Sequence, residues 1–254
     1  MKSSKKNVSH SNGTGFVGKD TLETIPDVFI IESLSRDYNG DVQGRSLEAM
    51  LKGLGQYPRY CDVSSKFELF HALDAFKNSG YRYLHISCHG NIVDDAIVMR
   101  NNENVHWKEL VAKIADLKLA KTRLFLSACS CGSTSSLATK LFSTEGNKSV
   151  ASVLAPDKDI HLDDALLFWA TFYGRICCGS KKMTSRIICD AVVRSQYVCG
   201  YKESFSLYYH DPIHKTIKHY TLLPEGELTY SEDNARVLSV NSHRSIVPFR
   251  APLR

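Results

Sequence analysis

The sequence lacks a long apolar run, and this absence argues against a membrane-spanning helix. No stretch approaches the roughly 18 apolar residues that a helix needs to cross a bilayer. The first six residues, Met1 to Lys6, carry positive charge, but no apolar core of a secretory signal follows them. We therefore expect no membrane contact and a cytoplasmic location.

Dense runs of lysine and arginine with interleaved aromatic residues are also absent. The net charge is +5 over 254 residues, which is typical of a solvated surface, so we do not expect direct binding of nucleic acid. There are eight cysteines, and most stand in apolar stretches, where cysteine behaves as a small hydrophobic residue. Without a secretory signal, they predict reduced thiols and no disulfide framework. We expect no cofactor and no bound metal.

The chain alternates between buried strands and amphipathic helices, which predicts a parallel, three-layer α/β/α sheet with right-handed crossovers. Residues 1–22 are rich in Ser, Asn, Gly and Lys and predict a disordered tail. Residues 23–219 form the predicted domain, with Ser204–Tyr209 as its last strand. Residues 220–254 lack a helical period and predict an extended or hairpin-like extension, a candidate partner-binding arm. Six earlier strands are predicted: Asp27–Glu32, Tyr57–Val63, Tyr81–His89, the short Ala96–Met99, Lys121–Cys129 and Ser149–Leu154.

Two of these strands end in reactive side chains, His89 and Cys129. Parallel sheets bind ligands at the carboxyl ends of their strands, and neighbouring strands lie about 4.8 Å apart. Cysteine attacks as the thiolate, and a nearby imidazole promotes that form and later protonates the leaving amine. The sequence therefore predicts a thiol–imidazole pair at one sheet edge. Asp94 and Asp95 are weaker candidates for orienting His89 and are more typical of a solvated loop.

Gly90 follows the candidate base directly. Because it has no Cβ, its backbone N–H can approach a substrate carbonyl, and with the N–H of Cys129 it forms a candidate oxyanion hole. Two other uses of the neighbouring cysteines remain open at this point. Cys88, His89, Cys129 and Cys131 could together bind zinc, although consecutive strand residues point to opposite faces. Cys131 could instead silence the nucleophile as a redox partner.

Three further histidines, His85, His106 and His161, stand near apolar positions and are more typical of structural histidines than of site members.

The segments His85–Gly90 and Leu126–Cys129, separated by a helix, resemble the caspase-fold (clan CD) cysteine peptidases, and most closely their CHAT branch. Four further segments are similar to family motifs, the last with His210 where glycine is usual: Gly44–Glu48, Val150–Pro156, Asp163–Tyr173 and Phe205–Pro212. The resemblance spans about residues 26–219. It implies a three-layer α/β/α caspase-like fold with a mostly parallel central sheet.

By this resemblance, Cys129 is the nucleophile and His89 is the general base and acid of a cysteine endopeptidase. Relatives directed to arginine or lysine carry an acid two residues before the nucleophile, where this chain has Ser127. Caspases hold an aspartate substrate partly through an arginine in the loop after the first strand. Arg36 stands in a similar place, beside Asp37 and Asp41, which favour a basic residue instead. Acidic, basic and neutral P1 residues therefore all stay open.

The resemblance also implies a protein substrate and a regulatory protein partner. Bacterial relatives serve in antiphage defence or regulated cell death. The rival hypothesis is a catalytically inactive caspase-fold scaffold that only binds proteins. The presence of both His89 and Cys129 disfavours it, because a scaffold has no need of either side chain.

Overall fold

In a computed structural model of the chain, the described residues are 27–34, 43–132, 141–142, 150–179, 183–211, 216–223 and 228–233. The predicted tail, residues 1–22, lies outside them. Residues 141 and 142 are both helical.

Ten strands and five helices have bounds in the described residues. The strands are β1 Val28–Ser33, β2 Arg59–Asp62, β3 Tyr83–Asn91, β4 Ala96–Val98, β5 Asn104–His106, β6 Leu119–Ser127, β7 Val150–Pro156, β8 Phe205–Asp211, β9 Thr216–Leu222 and β10 Leu228–Asp233. The helices are α1 Gln43–Gly53, α2 Lys66–Ser79, α3 Trp107–Leu117, α4 Leu162–Gly179 and α5 Ser185–Cys199.

The sheet has the order β10-β9-β8-β7-β6-β3-β1-β2, with the small β4–β5 hairpin paired to the end of β3. The five strands from β7 to β2 pair parallel. The α/β class and the mostly parallel central sheet are therefore confirmed. Ser204–Tyr209 is not the last strand, because β9 and β10 follow β8 in the same sheet as antiparallel neighbours. The predicted domain boundary at 219/220 falls inside β9.

Apolar side chains form one core on each face of the sheet. On one face, α2 and α3 bury residues such as Leu73 and Ile114 against Ile31, Ile86 and Leu126. On the other face, α1, α4 and α5 cover a second set of buried side chains, which includes Leu47, Phe168, Ile188, Ile30 and Phe125. Helices on both faces of the sheet make the three predicted layers.

Local signals in the sequence set several boundaries near the site. Ser65 caps α2 by accepting a hydrogen bond from the N–H of Glu68 at 3.3 Å, and a serine three residues before a glutamate is a common pattern at a helix start. Gly80 ends the same helix in a left-handed conformation, with φ of 77°. The strand predicted to stop at Leu154 continues through Pro156.

No helix within the described ranges is both long and apolar enough to cross a membrane.

Candidate active site

The candidate nucleophile and base follow two strands that pair with each other. β3 and β6 run parallel, and their last matched pair is Ser87 with Ser127. His89 lies two residues beyond Ser87, and Cys129 lies two residues beyond Ser127. Since side chains two residues apart share a face of a strand, the chain's direction brings both groups toward one edge of the sheet.

Gly90 lies directly against the backbone of Cys129. A Cβ on Gly90 would stand 2.9 Å from both the N and the C atoms of Cys129, and closer still to its carbonyl oxygen. Real Cβ atoms essentially never approach that closely, so only glycine fits. The residue next to His89 therefore touches the residue that carries the thiol.

The thiol and the imidazole differ in exposure and partners. The His89 side chain is exposed, whereas Cys129 is half-buried. The Cys129 Sγ donates a hydrogen bond to the carbonyl of Ile160 at 3.7 Å. Within the described part of the chain, no hydrogen bond joins His89 to Cys129. Catalytic hydrogen bonds often tighten only when substrate binds, so this arrangement is compatible with a dyad but does not display one.

Cys129 opens a tight turn. The N–H of Cys131 reaches back to the carbonyl of Ala128 at 3.4 Å. Ser130, the third residue of that turn, has φ of 56°, whereas Cys129 does not have a positive φ. A positive φ at the third position alone is the pattern of a type II turn. Serine is disfavoured in this region, so other contacts must hold it there.

These contacts come from the end of β7 and from the β7–α4 loop (Asp157–His161). The N–H of Ser130 donates to the carbonyl of Lys158 at 3.0 Å. Its hydroxyl donates to Oδ1 of Asp159, also at 3.0 Å. The N–H of Gly132 donates to the carbonyl of Pro156 at 2.8 Å. These hydrogen bonds, with the one from the Cys129 thiol to the Ile160 carbonyl, hold the turn at Cys129, Ser130 and Gly132.

The β7–α4 loop is itself held by the segment between α5 and β8. The hydroxyl of Tyr201 donates to the Asp159 carbonyl at 3.2 Å. The N–H of Asp157 donates to the Ser204 carbonyl at 2.9 Å, and the Ser204 hydroxyl donates to Oδ2 of Asp157 at 2.6 Å. Sequence reasoning missed this loop, although three polar residues directly after a buried strand, at the same sheet edge, were an available signal.

Gln43, the first residue of α1, was also missed. Its Oε1 accepts hydrogen bonds from the hydroxyls of Ser87 and Ser127, the latter at 3.0 Å. Gln43 is 2% exposed and Ser127 is 5% exposed. The predicted substrate-binding position Ser127 thus lies beneath a buried amide that bridges β3 and β6. Gln43 lies on the buried face of α1, four residues before Leu47 and eight before Leu51, so a polar residue in register with that apolar face was an available signal.

The position of Gln43 depends on a buried carboxylate at the end of β1. Oε1 of Glu32 accepts the N–H of Gly44 at 2.6 Å, and Oε2 accepts the hydroxyl of Tyr60 at 2.9 Å. Burial raises the pKa of Glu32, although these hydrogen bonds partly offset that effect. A Cβ on Gly44 would stand 2.9 Å from Cγ2 of Ile30. Glycine therefore lets α1 begin close against the sheet.

His85 is structural, as the sequence predicts. It is fully buried, with Nδ1 3.1 Å from the Tyr173 hydroxyl and its ring in an edge contact with Trp169 at 4.8 Å. Burial lowers the pKa of His85 to about 3, so the imidazole is neutral. The other two histidines differ from the prediction of apolar surroundings, because His106 and His161 are exposed.

Cys88 and Cys131 lie in the core on the far side of the sheet from α1. Burial, reinforced by neighbouring cysteines, raises the pKa of both thiols, to about 12 for Cys131. A buried, protonated thiol is a poor nucleophile. Cys88 and His89 face opposite sides of β3, and the described residues contain no group of three or more His, Cys, Asp or Glu side chains that could hold a metal ion.

Of the other predicted site residues, Asp94 and Asp95 lie in the region of the β4–β5 hairpin. Oδ2 of Asp94 accepts from the side-chain amides of Asn91 and Asn104 within the β4–β5 hairpin region. Asp95 is an exposed residue with φ of 49° in the adjoining turn. The specificity candidates Arg36, Asp37 and Asp41 lie outside the described residues.

Comparison with known proteins adds two structural likenesses. No protein-family model and no curated protein matches the chain. Gingipain R (RgpB), an Arg-specific cysteine proteinase, superposes with a TM-score of 0.49 at 12% identity over 70% of this chain. A complex of the pro- and mature domains of Porphyromonas gingivalis RgpB gives 0.47 at 11% identity over 69%. The chain spans only 43% of each of those proteins, and the fold class rests on its own sheet and helices.

Proposed function

We propose that this chain is a cysteine-type endopeptidase of the caspase-like type, with Cys129 as nucleophile and His89 as general base and acid. The observation that carries the proposal is the contact between Gly90 and the Cys129 backbone. That contact joins the end of the histidine-bearing strand to the start of the cysteine-bearing turn. A thiol and an imidazole so placed form the pair that acyl transfer needs.

The reaction follows from these groups. His89 takes the thiol proton, and the Cys129 sulfur attacks the scissile carbonyl carbon, whose π electrons move onto oxygen. The N–H groups of Gly90 and Cys129 are the candidate donors to that oxygen. Collapse of the intermediate breaks the C–N bond, and His89 returns its proton to the leaving amine. Water then hydrolyses the thioester, with His89 again taking a proton.

Differences among the cysteines support the choice of nucleophile. Cys88 and Cys131 are buried, with raised pKa values, whereas Cys129 is half-buried at the sheet edge. Cys178 is exposed but lies on α4. Cys129 therefore combines access with a nearby imidazole.

The finer features of the proposal come from the sequence resemblance. They are membership of the CHAT branch, a specific protein substrate, activation by a partner or signal, a cytoplasmic setting, and a role in antiphage defence or regulated cell death. All eight cysteines are free thiols, which is in keeping with a reducing compartment.

Peptidyl acyloxymethyl ketones with aspartate, arginine or glutamine at P1 test the activity. We expect covalent labelling of Cys129 by at least one of them, lost in Cys129→Ala and in His89→Ala. Cys178→Ala is the matched control, because it removes an exposed thiol elsewhere and should leave labelling intact. Labelling that survives His89→Ala at the wild-type rate would contradict the dyad.

The inactive scaffold is the second candidate, and one observation favours it. The Cys129 thiol donates to the Ile160 carbonyl rather than to His89. A scaffold predicts no labelling by any of the three ketones, even after addition of lysate from the native host. Mapping of newly formed protein termini in cells, wild type against Cys129→Ala, would then show no difference.

A further inference from the structure

We propose that Asp159 and Ser130 form a lock that positions the nucleophile, with the Asp159 carboxylate holding Ser130 in its left-handed conformation. This inference rests on the proposed function and deepens it, because it assigns a positioning role to residues that touch neither substrate nor the reacting atoms. Its basis is the strained turn after Cys129 and the hydrogen bonds that fasten it.

The conformation of Ser130 decides which way the Cys129–Ser130 peptide faces. Type I and type II turns differ by a flip of the peptide between their two central residues. With φ of 56° at Ser130, the Cys129 carbonyl points at Gly90, where it is the nearest atom to a Cβ position. The Ser130 N–H points the other way, to the Lys158 carbonyl at 3.0 Å. A flipped peptide would break the Ser130–Lys158 hydrogen bond, turn the Cys129 carbonyl away from Gly90, and move Cys129.

Serine does not hold a left-handed conformation by itself, because its Cβ crowds the backbone there. Strained residues persist only when their surroundings over-determine them, and such residues cluster at functional sites. Two hydrogen bonds constrain Ser130 in this way. One runs from its N–H to the Lys158 carbonyl, and the other runs from its hydroxyl to Oδ1 of Asp159 at 3.0 Å. The second is charge-assisted and therefore the stronger kind.

Asp159 suits this role because its own backbone is fixed while its side chain is accessible. The backbone carbonyl of Asp159 accepts a hydrogen bond from the Tyr201 hydroxyl at 3.2 Å. Ser130, in contrast to the accessible Asp159 side chain, is only 7% exposed. The carboxylate thus reaches from the surface to a buried hydroxyl. The neighbouring residue, Ile160, accepts the thiol itself, so the same loop sets the turn and the resting direction of the sulfur.

Four variants test the lock. Ser130→Ala keeps the strain but loses the hydroxyl bond, whereas Ser130→Gly loses the bond but tolerates a positive φ. Asp159→Ala removes the acceptor, and Asp159→Asn keeps an oxygen acceptor. Two properties are measured. One is inactivation by the best peptidyl ketone, separated into kinact and KI; the other is hydrogen exchange of the backbone amides of residues 130–132.

We expect Ser130→Ala and Asp159→Ala to lower kinact by about tenfold to a hundredfold, with KI nearly unchanged, because misplacement of a reacting group by about 1 Å has effects of this size. The same two variants should speed exchange of the Ser130 amide. Asp159→Asn and Ser130→Gly should recover most of both properties. A role in overall stability alone would also separate glycine from alanine in the free energy of unfolding, but it would leave kinact of the folded protein unchanged.

Ser204→Ala is the matched control. It removes another hydroxyl–carboxylate bond in the same loop, to Asp157, while the backbone bond between these two residues remains. We expect kinact close to wild type. The lock is overturned if Ser204→Ala is as impaired as Ser130→Ala, if Ser130→Gly is no better than Ser130→Ala, or if exchange is unchanged in Asp159→Ala.

Hydrogen exchange separates the two proposals. If no ketone labels wild-type Cys129, the peptidase proposal fails, yet faster exchange of the Ser130 amide in Asp159→Ala, restored in Asp159→Asn, still supports the lock on the turn. If labelling occurs but no variant changes kinact or exchange, the peptidase stands and the lock fails.

Discussion

His85 makes the stability of the fold sensitive to acid, and the size of the effect follows from its burial. The imidazole is fully buried between Trp169 and Tyr173, and its Nε2 has no hydrogen-bond partner. Burial lowers the pKa of His85 from its ordinary value near 6.5 to about 3. Below pH 6.5 the unfolded chain therefore binds a proton at this residue that the folded chain does not.

The sign of the effect follows from that difference. Because the unfolded state binds more protons between pH 6.5 and pH 3, the free energy of unfolding rises with pH in this window and is lost as pH falls through it. A folded pKa of about 3 and an unfolded pKa of about 6.5 give a loss of about 2 kcal/mol between pH 7 and pH 5. One residue therefore accounts for a large part of the margin of a typical domain.

Urea unfolding at pH 7 and pH 5, followed by the fluorescence of the two tryptophans, measures this loss. His85→Phe and His85→Gln remove the titrating group, and both should reduce the pH-dependent loss by about 2 kcal/mol relative to wild type. Other titrating groups contribute equally to each protein and cancel in the comparison. His71→Gln, at an exposed position, should leave the wild-type loss unchanged. If both His85 variants lose as much stability as wild type, His85 is protonated within the folded state and the reasoning fails.

Three further predictions concern single contacts. Gly90→Ala should slow labelling of Cys129 by about a hundredfold, because its Cβ displaces the nucleophile's backbone; Gly53→Ala, with open space around it, should not, and equal rates would refute the close approach. Glu32→Gln should gain thermal stability relative to wild type as pH rises above the ordinary pKa of a glutamate, since burial raises the pKa of Glu32 and its contribution is lost as pH rises through that raised pKa; a constant difference in Tm would contradict this. Phe168→Ala, at a fully buried position, should lower the free energy of unfolding by about 3–5 kcal/mol, and a urea titration giving less than about 1 kcal/mol would show a collapsed site.

The sheet's parallel half could be predicted because its sequence signals are local. β1 is buried along its whole length and reads as a continuous apolar run, and capped amphipathic helices separate the strands. The antiparallel half has no such signal. The antiparallel direction of β8 depends on how the chain returns beside β7, which no local pattern indicates. β9 mixes polar and apolar residues such as Lys218, His219 and Tyr220, so it has no continuous apolar run. Pairing between distant segments decides these strands, so a prediction made segment by segment stopped the sheet at β8.

Within the candidate site too, some features could be predicted from the sequence and others could not. The place of His89 and Cys129 at one edge of the sheet could be predicted because the carboxyl ends of neighbouring parallel strands meet, which is a property of topology alone. The bridging role of Gln43 could not, since it depends on two serines from different strands that meet at its amide. A buried polar group of this kind is recognised by its partners, and those partners are 44 and 84 residues away along the chain.

The conformation of the turn that follows Ala128 is the feature of the candidate site that is least predictable from the sequence. No residue in Ala128–Gly132 indicates that Ser130 adopts the left-handed conformation, because glycine and asparagine are the residues that usually adopt that conformation. The strain becomes intelligible only with the β7–α4 loop in place, whose carbonyls and one carboxylate complete the turn's hydrogen bonds. Strand order thus brings the thiol and imidazole to one edge, but a separate loop determines how the thiol is presented there. We therefore expect variation in that loop to change the presentation of the Cys129 thiol without altering the sheet, His89 or Cys129 itself.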